Sequence, residues 1–224
     1  MDVIHRDDLH RGGFAGLRET RMVMDERVFK GHSESGTWNG IGSFVYLADA
    51  KFLPKGETKL HSHREIDVIS VMVEGQIHHE GSLEHGQTMG SSHAQAQRAG
   101  GEGFSHNEIN PDDTENRMIQ LWVLPERAGD RASYKLYTPA AGELTRIYGG
   151  PADQDETLDS HTLIDVGLLA AEQEIRIAGP CMAYITRGSG LVDGKSVTEG
   201  DLFRGEHLEI RAAEPTQLIV IHTR

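Results

Sequence analysis

Two stretches decide the reading of this chain: Lys59-Leu60-His61-Ser62-His63-Arg64 and Gly101-Glu102-Gly103-Phe104-Ser105-His106-Asn107-Glu108. In an extended strand, residues i and i+2 point to the same face. His61 and His63 then present two imidazoles side by side, and His106 and Glu108 present an imidazole and a carboxylate. Gly101 and Gly103 permit a tight turn ahead of the second pair, where larger side chains would clash. On neighbouring strands the two pairs converge on one point. Three neutral imidazoles and one carboxylate suit Fe(II), Mn(II), Ni(II) or Zn(II), with positions left open for water or substrate. A bare His-x-His is more often two surface histidines in a polar loop; the second pair makes the metal reading the stronger one.

Outward from these motifs the texture is that of a β protein. Short apolar runs occur at Ser43–Leu47, Ile66–Val73, Met118–Leu124, Thr162–Leu169, Ala183–Thr186 and Leu218–Ile221. Several are rich in Val, Ile, Tyr and Trp, which suit pleated, half-buried strands. Turn signals separate them, among them Pro54-Lys55-Gly56, Glu74-Gly75, Asn110-Pro111-Asp112, Asp193-Gly194 and Glu199-Gly200. Strands at close spacing with glycine turns predict sandwiches or barrels rather than alternating βα units. The best short helix candidate is Leu168–Glu172. Val71-Met72-Val73-Glu74-Gly75 and Tyr184-Ile185-Thr186-Arg187-Gly188 read as the same strand-to-glycine ending, about half a chain apart, which predicts two similar β modules. Ala140–Glu156, rich in Gly, Pro, Asp and Ala, reads as the connection.

Composition narrows the partners. The 224 residues include 22 Lys and Arg against 35 Asp and Glu, a formal net charge of −13. Such a surface repels phosphate backbones and anionic lipid, so neither direct nucleic-acid binding nor membrane binding is expected. No apolar stretch approaches the roughly 18 residues of a membrane span, and the polar, acid-bearing N-terminus is not a leader sequence. The single cysteine, Cys181, forms no internal disulfide and fits a reducing compartment; a cytoplasmic protein is expected. No Walker loop, Gly-x-Ser-x-Gly elbow or dinucleotide fingerprint is present. Of thirteen histidines, His5, His10, His32, His161, His207 and His222 have no partner at ligand spacing, and His85 and His93, in the polar stretch Glu84–Gln97, read as surface residues. His78 and His79 are adjacent, so at most one of them faces a pocket, and a core or solvated role is the better reading. Tyr134 and Tyr137 read as strand packing.

Gly56, His61-x-His63, Asp67 and Gly75 resemble the first cupin motif, and Gly101-x-Gly103-x-x-His106-x-Glu108 with Asn110 resembles the second. The His-x-His-Arg start, the His-x-Glu ending and Gln120-Leu121-Trp122-Val123 are most similar to the pirin family of bicupins. The resemblance is specific over Gly56–Pro125 and faint in the C-terminal half. It implies an all-β bicupin, two antiparallel β-barrel (jelly-roll) domains in one chain. Residues 1–133 are then a metal-binding cupin domain and 134–224 a degenerate one without a metal site. It implies a single metal, most often iron, on His61, His63, His106 and Glu108, with Mn, Ni, Zn or Cu as alternatives. Asp67, where a glutamate is common, is the expected partner of a ligand imidazole. Gly100 stands where alanine is usual, and Ser91–Ala99 is unusually polar for its strand. A shift of 113 residues from the first module carries His61 and His63 onto Glu174 and Arg176, which cannot form such a site.

The resemblance further implies a metal-dependent dioxygenase using O2 and a flavonol-like, quercetin-like or related enolic aromatic substrate. Glu108 is the candidate catalytic base. The alternative is a metal- or redox-responsive regulator acting through a protein partner; a third is a metal-dependent isomerase or hydrolase, since fold does not fix function. A monomer is expected.

Overall fold

The computed structural model describes residues 1–224. It divides into two compact units, Leu9–Thr138 on one side and Met1–Asp8 with Pro139–Arg224 on the other. In chain order the strands are β1 (Asp2–His5), β2 (Arg11–Phe14), β3 (Leu17–Met24), β4 (Phe44–Phe52), β5 (His61–His63), β6 (Asp67–Glu74), β7 (Gln76–Gly81), β8 (Gln87–Gly90), β9 (Ala94–Arg98), β10 (Phe104–Ile109), β11 (Arg117–Val123) and β12 (Ser133–Tyr137), followed by β13 (Leu144–Gly150), β14 (Ser160–Leu169), β15 (Glu174–Ile177), β16 (Cys181–Arg187), β17 (Ser189–Val192), β18 (Lys195–Thr198), β19 (Asp201–Gly205), β20 (Leu208–Ala212) and β21 (Thr216–Thr223). The α-helix α1 (Glu26–Phe29) is one turn long. The division falls beyond position 133 because β12 pairs with β9. The first eight residues leave the N-terminal unit because β1 pairs with β19.

The Leu9–Thr138 unit has a seven-stranded sheet, ordered β12-β9-β6-β11-β4-β3-β2, and a four-stranded sheet, ordered β5-β10-β7-β8. The other unit repeats the plan with β1-β19-β16-β21-β14-β13 and β15-β20-β17-β18. Position by position β5, β10, β7 and β8 answer to β15, β20, β17 and β18, and β9, β6, β11 and β4 to β19, β16, β21 and β14. The internal repeat read from the glycine endings is therefore a repeat of whole jelly rolls. The sheets are open rather than closed barrels, as in cupin jelly rolls. The predicted helix at Leu168–Glu172 does not form. Leu168 and Leu169 close β14, and Glu172 takes φ 66° in the turn that follows.

The two interiors differ. In the Pro139–Arg224 unit the inward positions are apolar throughout: Cys181, Ala183 and Ile185 on β16, Phe203 on β19, Leu208, Ile210 and Ala212 on β20, and Leu218 and Val220 on β21 form one cluster. Burial pushes the Cys181 thiol up to about 11, which keeps it protonated and unreactive. On β15 the inward residues are Ile175 and Ile177; Glu174 and Arg176 face solvent, so the 113-residue shift lands on the wrong face by one residue.

In the Leu9–Thr138 unit the apolar core is split in two. Leu17, Ala50, Phe52, Met72, Ile77, Met89 and Met118 form one cluster, and Val68, Ala99 and Phe104 form another, with Trp122 packed against it. The inward positions between them are polar. They read Val68-Ser70-Met72 on β6, Phe104-His106-Glu108 on β10, Met118-Gln120-Trp122 on β11, and Ile77-His79 on β7.

The turn ahead of β10 explains Gly100. It has φ +53°, and a Cβ there would overlap the Asp130 carbonyl oxygen. The turn is tied by Glu65 N–H to Gly100 O and by Gly103 N–H to Ala99 O. The alanine that the family resemblance leads one to expect here does not fit this turn. Gly100→Ala is expected to destabilise the protein by about 2 kcal/mol or more, read as a lower denaturation midpoint in urea.

Candidate metal centre

β10 lies between β5 and β7. His106 stands opposite His61 in the β5 ladder, and Glu108 stands opposite His79 in the β7 ladder. With the alternation of a strand, this register turns His61, His63, His106 and Glu108 to the inner face. The donor nitrogens of His61, His63 and His106 all lie within 4.8 Å of one another. His106 Nε2 is 3.0 Å from His61 Nε2 and 3.2 Å from His63 Nε2.

That geometry fits a shared cation. Two nitrogens each about 2.1 Å from one ion, and separated by these distances, subtend roughly 90–100° at it. The tautomers agree where a partner fixes them. His61 Nδ1 lies 2.8 Å from the Lys59 carbonyl oxygen, which only accepts, so the ring proton is on Nδ1 and Nε2 keeps its lone pair. Burial, with His61 adding repulsion, lowers His63 to about 4. Burial, with the neighbouring histidines, lowers His106 to about 2. Both rings are neutral at ordinary pH, as metal ligation requires. The triad is a donor set for a divalent metal.

Glu108 stands outside that compact trio. It is fully buried, and its Oε1 accepts from Ser70 Oγ at 3.0 Å and Gln95 Nε2 at 3.0 Å. Oε2 has no protein partner. Burial pushes the carboxyl up to about 7, against the pull of those two hydrogen bonds.

His61, His63 and Glu108 reach the wall of a cavity of about 320 Å³, at the small end of the range for ligand pockets. Its opposite character is aromatic. Tyr46 and Trp122 stack at 4.3 Å, and Phe29 lies 5.8 Å from Tyr46 and 6.4 Å from Trp122. Phe29 arrives on α1, which starts at the Asp25 cap, where the side chain accepts from Arg27 N–H, and stops at Lys30 in the left-handed region. One polar corner joins this wall. Glu19 accepts from Tyr46 Oη at 3.2 Å and from Arg21 Nε at 2.8 Å.

The sequence expectations sort clearly against this geometry. His61, His63 and His106 come together, and Glu108 shares a cavity with His61 and His63. Asp67, expected against a ligand imidazole, instead accepts from Arg98 Nε at 3.2 Å. Arg98 lies directly opposite Asp67 in the β6–β9 ladder, so the nearer cation takes the carboxylate. His79 is fully buried, with its ring 5.4 Å from that of His106. Tyr134 Oη donates to Gln95 Oε1 at 3.1 Å, so it is tied to the centre rather than only packed in its strand. The sequence reading missed Ser70, Gln95, Gln97 and the α1 wall. The polarity of Ser91–Ala99 was the available signal, and it marks the inward face of β9.

An all-β bicupin with a three-histidine donor set in its N-terminal jelly roll is the class that fold and centre define. The family model described as Pirin matches residues 29–123. A Mycobacterium tuberculosis relative, provisionally named a quercetin 2,3-dioxygenase, is 32% identical over 195 residues, covering 80% of this chain and 79% of its own. The Escherichia coli K12 quercetin 2,3-dioxygenase is 25% identical over 148 residues, covering 63% and 64%. The structure of an E. coli bacterial pirin in complex with nickel(II) superposes with a TM-score of 0.83 over 98% of this chain and 97% of its own, at 16% identity. The chain belongs to the pirin family. No helix in it is long and apolar enough to cross a membrane.

The pH dependence of the metal-free protein follows. A carboxyl raised from an ordinary 4.5 to about 7 contributes stability below pH 4.5 that is lost as pH rises through 7. His63 and His106, lowered from 6.5, act the other way: their contribution is present above pH 6.5 and is lost as pH falls toward 4. Glu108→Gln removes only the first effect. The metal-free variant should gain on wild type by about 3 kcal/mol above pH 7 and by little at pH 4.5, measured by urea denaturation at both values.

Proposed function

We propose that this protein is a metal-dependent dioxygenase acting on a small, flat, enolic aromatic of the flavonol type. The observation that carries the reading is the meeting of a three-imidazole donor set, a buried carboxyl near neutrality and an aromatic wall in one cavity. Names of relatives point the same way, since the E. coli K12 relative is called a quercetin 2,3-dioxygenase.

His61, His63 and His106 would hold the metal, with Glu108 as the fourth donor. Iron(II) is taken as the resident ion; imidazole also suits Mn, Ni, Zn and Cu, and nickel is the ion in the E. coli pirin structure. When bound, the ion supplies Lewis acidity to an enolic hydroxyl and a route for electrons to O2.

The chain's own groups do the rest. The Phe29, Tyr46 and Trp122 rings receive the substrate's flat face by stacking. The cavity volume limits the substrate to one small molecule. Glu19 and Tyr46 offer a polar corner to a second hydroxyl. Ser70 and Gln95 hold Glu108 Oε1, so Oε2 is the oxygen that would serve the metal and, when loosened from it, would take the substrate's hydroxyl proton. A buried carboxyl within reach of the substrate hydroxyl has the position a general base needs. The reading places the protein in the cytoplasm as a monomer.

Two measurements test it. Anaerobic titration of the iron-loaded protein with quercetin, followed by air, should give oxygen uptake and release of carbon monoxide. Absence of turnover at full metal loading refutes the dioxygenase assignment. Metal analysis should show loss of bound metal in both His61→Ala and Glu108→Ala; if both retain full metal, the ligand assignment is wrong.

A further inference from the structure

β9 carries Ala94-Gln95-Ala96-Gln97, two glutamines turned to the same inner face and both fully buried. A buried primary amide is unfavourable unless its donors and acceptor are used. Gln95 is used at both ends. Its Oε1 accepts from Tyr134 Oη, which aims its Nε2–H at the Glu108 carboxylate.

Gln97 faces the other β10 residue. Its amide group lies 3.3 Å from His106 Nδ1 through Nε2, and its Oε1 is buried with no partner. The amide's oxygen and nitrogen occupy nearly equal volumes and are told apart by their hydrogen bonds. Turned by half a rotation, Oε1 accepts from His106 Nδ1–H. The oxygen is then paired and the amino group takes its former place, so the choice between the two orientations rests on which His106 nitrogen carries the proton. With the amide turned, the ring proton is fixed on Nδ1, and the Nε2 lone pair is free toward His61 and His63.

The second jelly roll supplies the contrast. Gln97 pairs with Val68 on β6, and the matching position opposite Cys181 on β16 is Gly205. Gln95 pairs with Ser70, and its counterpart opposite Ala183 is Phe203. Where no imidazole needs orienting, this strand carries a glycine and a phenylalanine.

We propose that Gln97 is a positioning residue for the metal centre: its side-chain carbonyl holds His106 in the Nδ1–H tautomer that presents Nε2 as a ligand. The role rests on the triad being a metal site and is independent of the substrate.

The test is nickel(II) affinity, by competition with a chromophoric chelator, for wild type, Gln97→Leu and Gln97→Glu. Gln97→Leu removes the acceptor and should weaken binding by about 10- to 100-fold, the usual effect of deleting a ligand's hydrogen-bond partner. Gln97→Glu keeps an acceptor in either protonation state and should restore affinity to within a few fold. Equal affinity in wild type and Gln97→Leu, or equal weakness in both variants, overturns the proposal. Wild type that binds no nickel refutes the metal reading instead. Should Gln97→Leu not fold, nitrogen-15 NMR of the zinc-loaded wild type decides: a slowly exchanging proton on His106 Nδ1 is expected, and an unprotonated Nδ1 overturns the role.

Discussion

The register of β10 between β5 and β7 is the constraint on which the centre depends. His106 faces His61 across one ladder while Glu108 faces His79 across the other. A slip of one residue would turn Ser105, Asn107 and Ile109 inward and leave the donors in solvent. Such slips are resisted where an apolar residue anchors the same face. Phe104 does this for β10, packed with Val68 and Ala99. The glycine turn ahead of the strand fixes where Phe104 begins.

This register forces a band of polar side chains through the middle of an otherwise apolar interior. Ser70, Gln95, Gln97, His79, His106 and Glu108 are all buried. Most gain their place through partners on neighbouring strands, Ser70 and Gln95 on Glu108 and Gln97 on His106, while His79 Nε2 meets the Leu83 carbonyl in the loop after its own strand. The neutral state of His106 and the raised carboxyl of Glu108 share their largest cause, removal from water. The cavity then has a wall of rings beside groups whose protonation is set first by burial.

Much of this was legible in the residues. Each apolar run read as strand overlaps one, because its side chains meet an inner face with period 2 or are buried on both faces. His61, His63 and His106 were legible because i, i+2 spacing has one meaning on a strand. What escaped depended on partners far along the chain. Gln95 and Gln97 look like surface residues until β9 is seen to lie behind β10. Asp67 was assigned to an imidazole because nothing local reveals Arg98 opposite it. The helix carrying Phe29 is too short for a period, and only its Asp25 cap marks it. Gly100 looked like a departure from relatives, and it is required by a carbonyl thirty residues away.

The pairing of β1 with β19 has a consequence for how the chain is made. Asp2–His5 occupies the edge of the sheet whose other strands all come from the second half of the chain, and His5 Nδ1 meets Asp201 at 2.9 Å. Ribosomes add roughly 5–20 residues per second, so this first strand waits on the order of ten to forty seconds before its partner exists. In that interval it is an unpaired edge, and Asp2 on it and Arg6, Asp7 and Asp8 just beyond it are charges of the kind that discourage pairing with another chain. Within this sheet, the strand made earliest is thus among the last to be placed.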